Sequence, residues 1–290
     1  MAENEIPQLR EVPANRGWPG WRTSAGDEPP TIFVGTAKSR GFRISYEDAG
    51  RGRPLVLIPG FTMMAANWRE TGCPQRLATS WRVITVDPLG HGLSDKPHDA
   101  EAYRWPGVAA DIVAVMDAAG VDIAALWGYS RGAALAAEAA VEFPERVSAV
   151  VLGGEDLLGR PPAHRPGDWA DRLWHGEWAA LFEVMPVPEE DRAFAAETLD
   201  ASALGASIVG RRISGDDGVI SIDGIACPTF VYAGGSDEPN SPEGFKGTAD
   251  RLGVPLHVLD GLTHEGAFSA SDQILPLVTD FLDRLDTRQA

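Results

Sequence analysis

The chain has little cysteine, little positive charge and no long apolar run, and each shortage excludes something. Only two cysteines occur in 290 residues, Cys73 and Cys227, far apart and in no metal-ligand or C-x-x-C spacing. A disulfide framework is therefore excluded, and both read as buried free thiols. Lysine and arginine total 25 against 42 acidic residues, a net charge of −17, so a phosphate backbone would be repelled over most of the surface. Nucleic acid is excluded as a partner. No segment approaches the ~20 consecutive apolar residues of a membrane span, and the opening "MAENEIPQLREVPANRGWPGW" lacks an apolar signal-peptide core. A soluble, cytoplasmic protein with no membrane association is expected.

Apolar residues make up 44% of the chain, enough for a sizeable core. Residues 1–30 are rich in proline, glycine and charge without a sustained period, and read as an N-terminal arm. "TIFVGT", a turn-like "AKSRG" and "FRISYE", in which Phe42, Ile44 and Tyr46 alternate with polar residues, read as an edge hairpin. From residue 55 short apolar runs follow: "LVLI", "WRVITV", "IAALW", "VSAVVL", "TFVYA" and "LHVL". Such runs suit a parallel sheet covered on both faces.

The segments between them fit crossover helices. Val108, Ile112, Val115 and Met116 share a face ahead of Gly120, and Ile274, Leu277, Val278, Phe281, Leu282 and Leu285 form a stripe on the last helix. The alternation predicts an α/β fold, a mostly parallel eight-stranded sheet flanked by helices. Residues 157–224 interrupt it with helix-like runs and no clear strand, too long a stretch for an ordinary loop. They are read as a helical cap insertion, leaving residues 31–156 and 225–290 as the core domain.

The stretch "LWGYSRGAA" places Ser130 between Gly128 and Gly132, after an apolar strand and before an alanine-rich helix. Glycines suit a turn that brings strand and helix backbones together around a strained residue. Such a turn exposes the serine oxygen at the carboxyl end of the sheet and aims the next N–H, at a helix N-terminus, towards it.

With "LVLIPGFTMMAANW", "VITVDPLGHGLSD", "PTFVYAGGSDEPN" and "LDGLTHEGAF" in the same order, the chain resembles the α/β-hydrolase family over roughly residues 31–286, in its serine hydrolase branch. The resemblance implies a Ser, Asp, His triad in that order, which falls on Ser130, Asp237 and His264. Asp156 and Glu155 occupy the place where some members carry the acid instead. The chemistry agrees with the match: a serine hydroxyl needs an imidazole to take its proton, and a carboxylate fixes that imidazole's tautomer.

The backbone N–H groups of Phe61 and Arg131 are the expected oxyanion-hole donors. The common His-Gly of the family is here Pro59-Gly60. Arg131 has two readings for its side chain, a contact to a substrate carboxylate or a surface ion pair. His91, in "GHG", is read as part of a structural turn. No metal cluster such as H-E-x-x-H occurs, and neither a metal nor a cofactor is expected.

Family members that open epoxides or displace halide use a carboxylate where this chain has Ser130, and the epoxide enzymes draw tyrosines from the insertion. The four tyrosines here, at 46, 103, 129 and 232, lie outside it. Hydroxynitrile lyases of the family use a lysine from the insertion, which here has none.

The expected activity is acyl transfer from a small, apolar or aromatic ester or lactone to water, by a monomer or homodimer. Met63, Met64, Tyr129, Trp174 and Trp178 are candidate pocket walls, with anchoring of the insertion as the other reading of the tryptophans. Cofactor-free non-hydrolytic or carbon–carbon chemistry, and a receptor with little turnover, are the alternatives.

Overall fold

A computed structural model describes residues 10–11, 31–159, 163–185, 187, 189–214, 219–238, 240 and 242–286. The strands in chain order are β1 (Arg10–Glu11), β2 (Ile32–Ser39), β3 (Phe42–Gly50), β4 (Arg53–Ile58), β5 (Trp81–Val86), β6 (Ala124–Tyr129), β7 (Val147–Gly153), β8 (Thr229–Gly234) and β9 (Leu256–Leu259). Eight of them form the expected sheet in the order β2-β3-β5-β4-β6-β7-β8-β9, and the two-residue β1 adds to the outer edge beside β2. The remainder of the expected N-terminal arm lies outside the described residues. The pairs β1–β2, β2–β3 and β3–β5 are antiparallel, and every pair from β5–β4 to β8–β9 is parallel.

Alternation along the strands sorts side chains between two layers. Val56 and Ile58 of β4 face one hydrophobic cluster, and Leu55 and Leu57 face the other; all four are fully buried. Each such burial contributes roughly 1.5–3 kcal/mol, which is why these strands read as unbroken apolar runs.

The first layer holds α3 (Trp105–Ala118) and α4 (Arg131–Glu142); the second holds α1 (Ala65–Glu70) and α2 (Cys73–Leu77). In α3 the predicted Val108, Ile112, Val115 and Met116 are all buried, and Gly120, at φ 67°, follows the helix end in the left-handed conformation that favours glycine. Cys73 is buried, whereas Cys227 is only half-buried; both are free.

Between β7 and β8 the chain builds α5 (Trp169–Trp174), α6 (Trp178–Val184), α7 (Glu189–Thr198) and α8 (Ala201–Arg212). Leu173, Leu181 and Leu204 are buried together there with Phe61 and Met64 packed against them, so this helical group touches the loop after β4.

After β8 come α9 (Pro242–Leu252), then β9, α10 (His264–Ser269) and α11 (Ser271–Asp286). Ile274, Val278 and Leu282 of α11 are buried against the second layer, but Leu277, expected on the same stripe, is 38% exposed. The stripe is narrower than the sequence suggests. Among the described residues no helix is long and apolar enough to cross a membrane.

Candidate active site

Ser130 is one of three non-glycine residues with positive φ among those described, at φ 52° and ψ −130° between the end of β6 and the start of α4. This conformation is costly for a residue with a side chain, by roughly 1–3 kcal/mol, and persists only where packing imposes it. The two flanking glycines are what allow that packing. A Cβ on Gly128 would run into the Gly132 backbone, and one on Gly132 into the carbonyl oxygens of Ile58 and Pro59. The Ser130 N–H donates to the Gly153 carbonyl at 2.7 Å and its own carbonyl accepts from Ala133 at 2.7 Å, which pins the turn on both sides.

Two loops at the same carboxyl rim of the sheet supply the acid and the imidazole. Asp237 follows β8 and His264 follows β9; Asp237 Oδ2 lies 2.7 Å from His264 Nδ1. The carboxylate is 1% exposed, and its other oxygen accepts the Asn240 N–H at 3.2 Å. The loops are joined through backbone bonds, Gly235 N–H to the Leu259 carbonyl and Ser236 N–H to the Leu262 carbonyl, both at 2.9 Å. In the tautomer that donates from Nδ1 to Asp237, the lone pair that a general base needs lies on Nε2.

Neither alternative acid reaches this imidazole. Asp156 Oδ1 accepts the N–H groups of Leu158 and Gly159 at 3.0 and 3.1 Å, a local turn, and Glu155 pairs with Arg211 at 3.1 Å.

The loop after β4 faces Ser130, with the Gly60 backbone close enough that a Cβ there would lie 3.3 Å from the Ser130 Cβ. Among the described residues no acceptor takes the N–H of Phe61 or of Arg131. Thr62 holds a left-handed φ of 65°, and His91 holds Thr62. The Thr62 N–H donates to His91 Nε2 at 3.3 Å while His91 Nδ1 donates to the Leu89 carbonyl at 3.1 Å. Burial, with the Arg131 charge nearby, pushes the His91 imidazole down to about 3, so it is neutral and suited to accept there.

Beside it, Asp87 accepts the N–H groups of Ala65 at 2.7 Å and Leu93 at 2.9 Å. The "DPLGHGLS" motif is thus a brace under the loop that carries Phe61.

The expected pocket walls separate into different places. Tyr129 is corrected: it is 1% exposed, its hydroxyl donates to the His264 carbonyl at 2.5 Å, and its ring centroid lies 5.1 Å from the imidazole's. It supports the histidine from below because β6 points odd-numbered residues into the second layer. Trp174 donates from its indole to the His98 carbonyl at 2.6 Å, which ties α5 to the core. Trp178 stacks on Phe182 of its own helix at 6.1 Å. Met63 and Met64 are half-buried, the first against the second layer and the second against the helical group.

Of the two readings of the Arg131 side chain, the surface ion pair is contradicted, since the guanidinium is not at the surface. Arg131 is 7% exposed and donates to Ser207 of α8 from both terminal nitrogens, to Oγ at 2.8 Å and to the carbonyl at 2.9 Å.

A mostly parallel sheet flanked by helices, with a strained serine after β6, an acid after β8 and a histidine after β9, is the α/β-hydrolase fold. The family model described as alpha/beta hydrolase fold matches residues 53–182. The chain is 42% identical over 127 residues to the 2-hydroxymuconate semialdehyde hydrolase of Pseudomonas sp. (strain CF600), a match covering 42% of this chain and 43% of that protein. It is 29% identical over 157 residues to epoxide hydrolase B of Mycobacterium tuberculosis, covering 49% and 44%. Both matches span less than half of the relative. A malate-bound thermophilic esterase from Thermogutta terrifontis superposes with a TM-score of 0.71 at 19% identity, over 87% of this chain and 98% of that one.

Proposed function

We propose that the protein is a serine hydrolase that cleaves a carboxylic ester or lactone of a small molecule with an apolar or aromatic body, through an acyl-enzyme. The observation that carries this reading is the Asp237–His264 bond of 2.7 Å at the rim that also carries the strained Ser130 turn.

Ser130 attacks the carbonyl as His264 Nε2 takes its proton. The free N–H groups of Phe61 and Arg131 hold the tetrahedral oxyanion. His264 then protonates the leaving alcohol, deprotonates a water, and the water releases the acid from Ser130. Asp237 holds the tautomer throughout. Helices α5 to α8, within residues 157–224, act as the cap over this rim, and the enzyme works in the cytoplasm as a monomer or homodimer without a cofactor.

A second reading, hydrolysis of a carbon–carbon bond, is favoured by the matched semialdehyde hydrolase. The same three residues would serve it.

The test is labelling of the purified protein with a fluorophosphonate beside a Ser130→Ala variant, the adduct being located by peptide mass spectrometry. Labelling at Ser130, lost in the variant, is expected, and turnover of esters or lactones in a subsequent panel then separates the first reading from the second. A folded protein left unlabelled removes the activated serine.

A further inference from the structure

We propose that the substrate carries a carboxylate, and that the Arg131 guanidinium is the group that binds it. The proposal rests on the serine hydrolase reading for the bond cleaved, and deepens it by naming a chemical class.

The argument starts from charge accounting at the junction of α4 and α8. Arg212 is paired with Asp168 at 2.6 Å and Arg211 with Glu155 at 3.1 Å. Arg131 makes no ion pair with a described carboxylate; its partners are the hydroxyl and carbonyl of Ser207 and the Phe61 ring, 5.7 Å from its Cζ. Of the charged groups around it the Arg211 cation acts on it most strongly, and the Glu155 carboxylate, itself paired with Arg211, acts more weakly in the opposite sense.

A guanidinium withdrawn from water and hydrogen-bonded only to neutral groups is unfavourable unless an anion joins it. Arginine has five N–H donors, and Ser207 takes two of them. The remaining donors have no acceptor among the described residues. Ser207 Oγ donates its own hydrogen to the Leu204 carbonyl at 2.6 Å, which turns its lone pair towards Arg131 and fixes the fork.

Position selects the ligand. Arg131 is the residue after Ser130, and its backbone N–H is the proposed oxyanion donor, so an anion on its side chain belongs to the molecule under attack. Phe61, the other oxyanion donor, packs on the same guanidinium. The geometry points to a short-chain dicarboxylate monoester, or a lactone bearing a free acid, with its carboxylate towards α8. The overall charge of −17 does not oppose this, because at cellular salt such a field is screened within about 8 Å while a buried ion pair is not.

The experiment compares monoethyl glutarate with diethyl glutarate by pH-stat titration, using wild type, Arg131→Lys and Arg131→Gln. The readout is the ratio of the two kcat/KM values. Wild type is expected to favour the acid, and Arg131→Gln to lower that ratio about 10–100-fold, the loss of one charge-assisted contact. Arg131→Lys is expected to retain part of it.

A tether between α4 and α8 would change thermal stability in both variants and leave the ratio where it was; that result overturns the proposal. So does a wild type without preference for the acid. In parallel, glutarate is titrated calorimetrically into Ser130→Ala and into Ser130→Ala/Arg131→Lys and Ser130→Ala/Arg131→Gln. Binding in the first that weakens in the lysine variant and vanishes in the glutamine variant supports the site without any turnover, so a failed serine hydrolase reading leaves it decidable. Absence of glutarate binding to Ser130→Ala overturns it.

Discussion

Replacing Asp237 with asparagine separates the proposed triad from every bland account of these residues. The exchange is nearly isosteric, and asparagine keeps an oxygen for the Asn240 N–H that Asp237 Oδ1 accepts at 3.2 Å. What changes is the 2.7 Å contact to His264 Nδ1. An amide NH2 in that place donates, so Nδ1 must become the acceptor and the ring proton moves to Nε2. His264 then has no Nε2 lone pair with which to take the Ser130 proton in the proposed mechanism. A wrong tautomer with intact geometry costs kcat roughly 10³–10⁴-fold, or about 4–5.5 kcal/mol of transition-state stabilisation. The assay is kcat and kcat/KM on an ester found in the substrate panel, with the rate of fluorophosphonate labelling as a second measure that needs no substrate. Asp156→Asn serves as the comparison, because Asp156 caps a turn through Leu158 and Gly159 and is expected to keep full activity. Retention of activity within tenfold in Asp237→Asn, or a larger loss in Asp156→Asn, would refute the assignment.

Tyr129→Phe removes the hydroxyl that holds the His264 carbonyl; a loss of about 0.5–1.5 kcal/mol in stability is expected in thermal unfolding, with a lower kcat and little change in KM. An unchanged melting temperature and kcat would remove its supporting role. Gly132→Ala should cost soluble expression, because the added Cβ meets the backbone of Ile58 and Pro59, which cannot yield as a side-chain tip could; a well-folded, active alanine variant would mean the turn is looser than its glycines imply. His91 is neutral in the fold and held down to about 3, whereas the unfolded imidazole titrates near ~6.5. The unfolded chain therefore binds a proton that the native state refuses, so this stability is complete above pH ~6.5 and is lost as pH falls towards 3. Within that window one such group contributes a slope of up to ~1.4 kcal/mol per pH unit. Urea unfolding at pH 7 and pH 4.5 should find a shallower loss in His91→Gln than in wild type, and parallel losses would contradict the buried neutral imidazole.

What the sequence makes legible here is whatever a local pattern encodes. The sheet is readable because burial on both faces forces unbroken apolar strands such as residues 55–58, and the Ser130 turn because two glycines must stand where backbones meet. Asp237 and His264 are readable from ordered motifs, each tied to the end of a late strand. The misplacements arise where the deciding contact joins distant segments. Tyr129 looks like a wall from its neighbours in "GYSRG", yet strand parity sends it under His264, 135 residues later. Leu277 matches the helical period of α11 but falls at its exposed margin. His91 and Thr62 meet across 29 residues, and neither motif names the other. Arg131 and Ser207 are 76 residues apart, and no helical or strand period links a residue of α4 to one of α8. Sequence reasoning could propose the Arg131 backbone N–H as an oxyanion donor because that reading depends only on the turn; the fate of its side chain depends on which face of α8 descends onto it. Backbone roles thus follow from local pattern and side-chain roles from tertiary arrangement, so the chemistry at Ser130 is legible before the specificity that surrounds it.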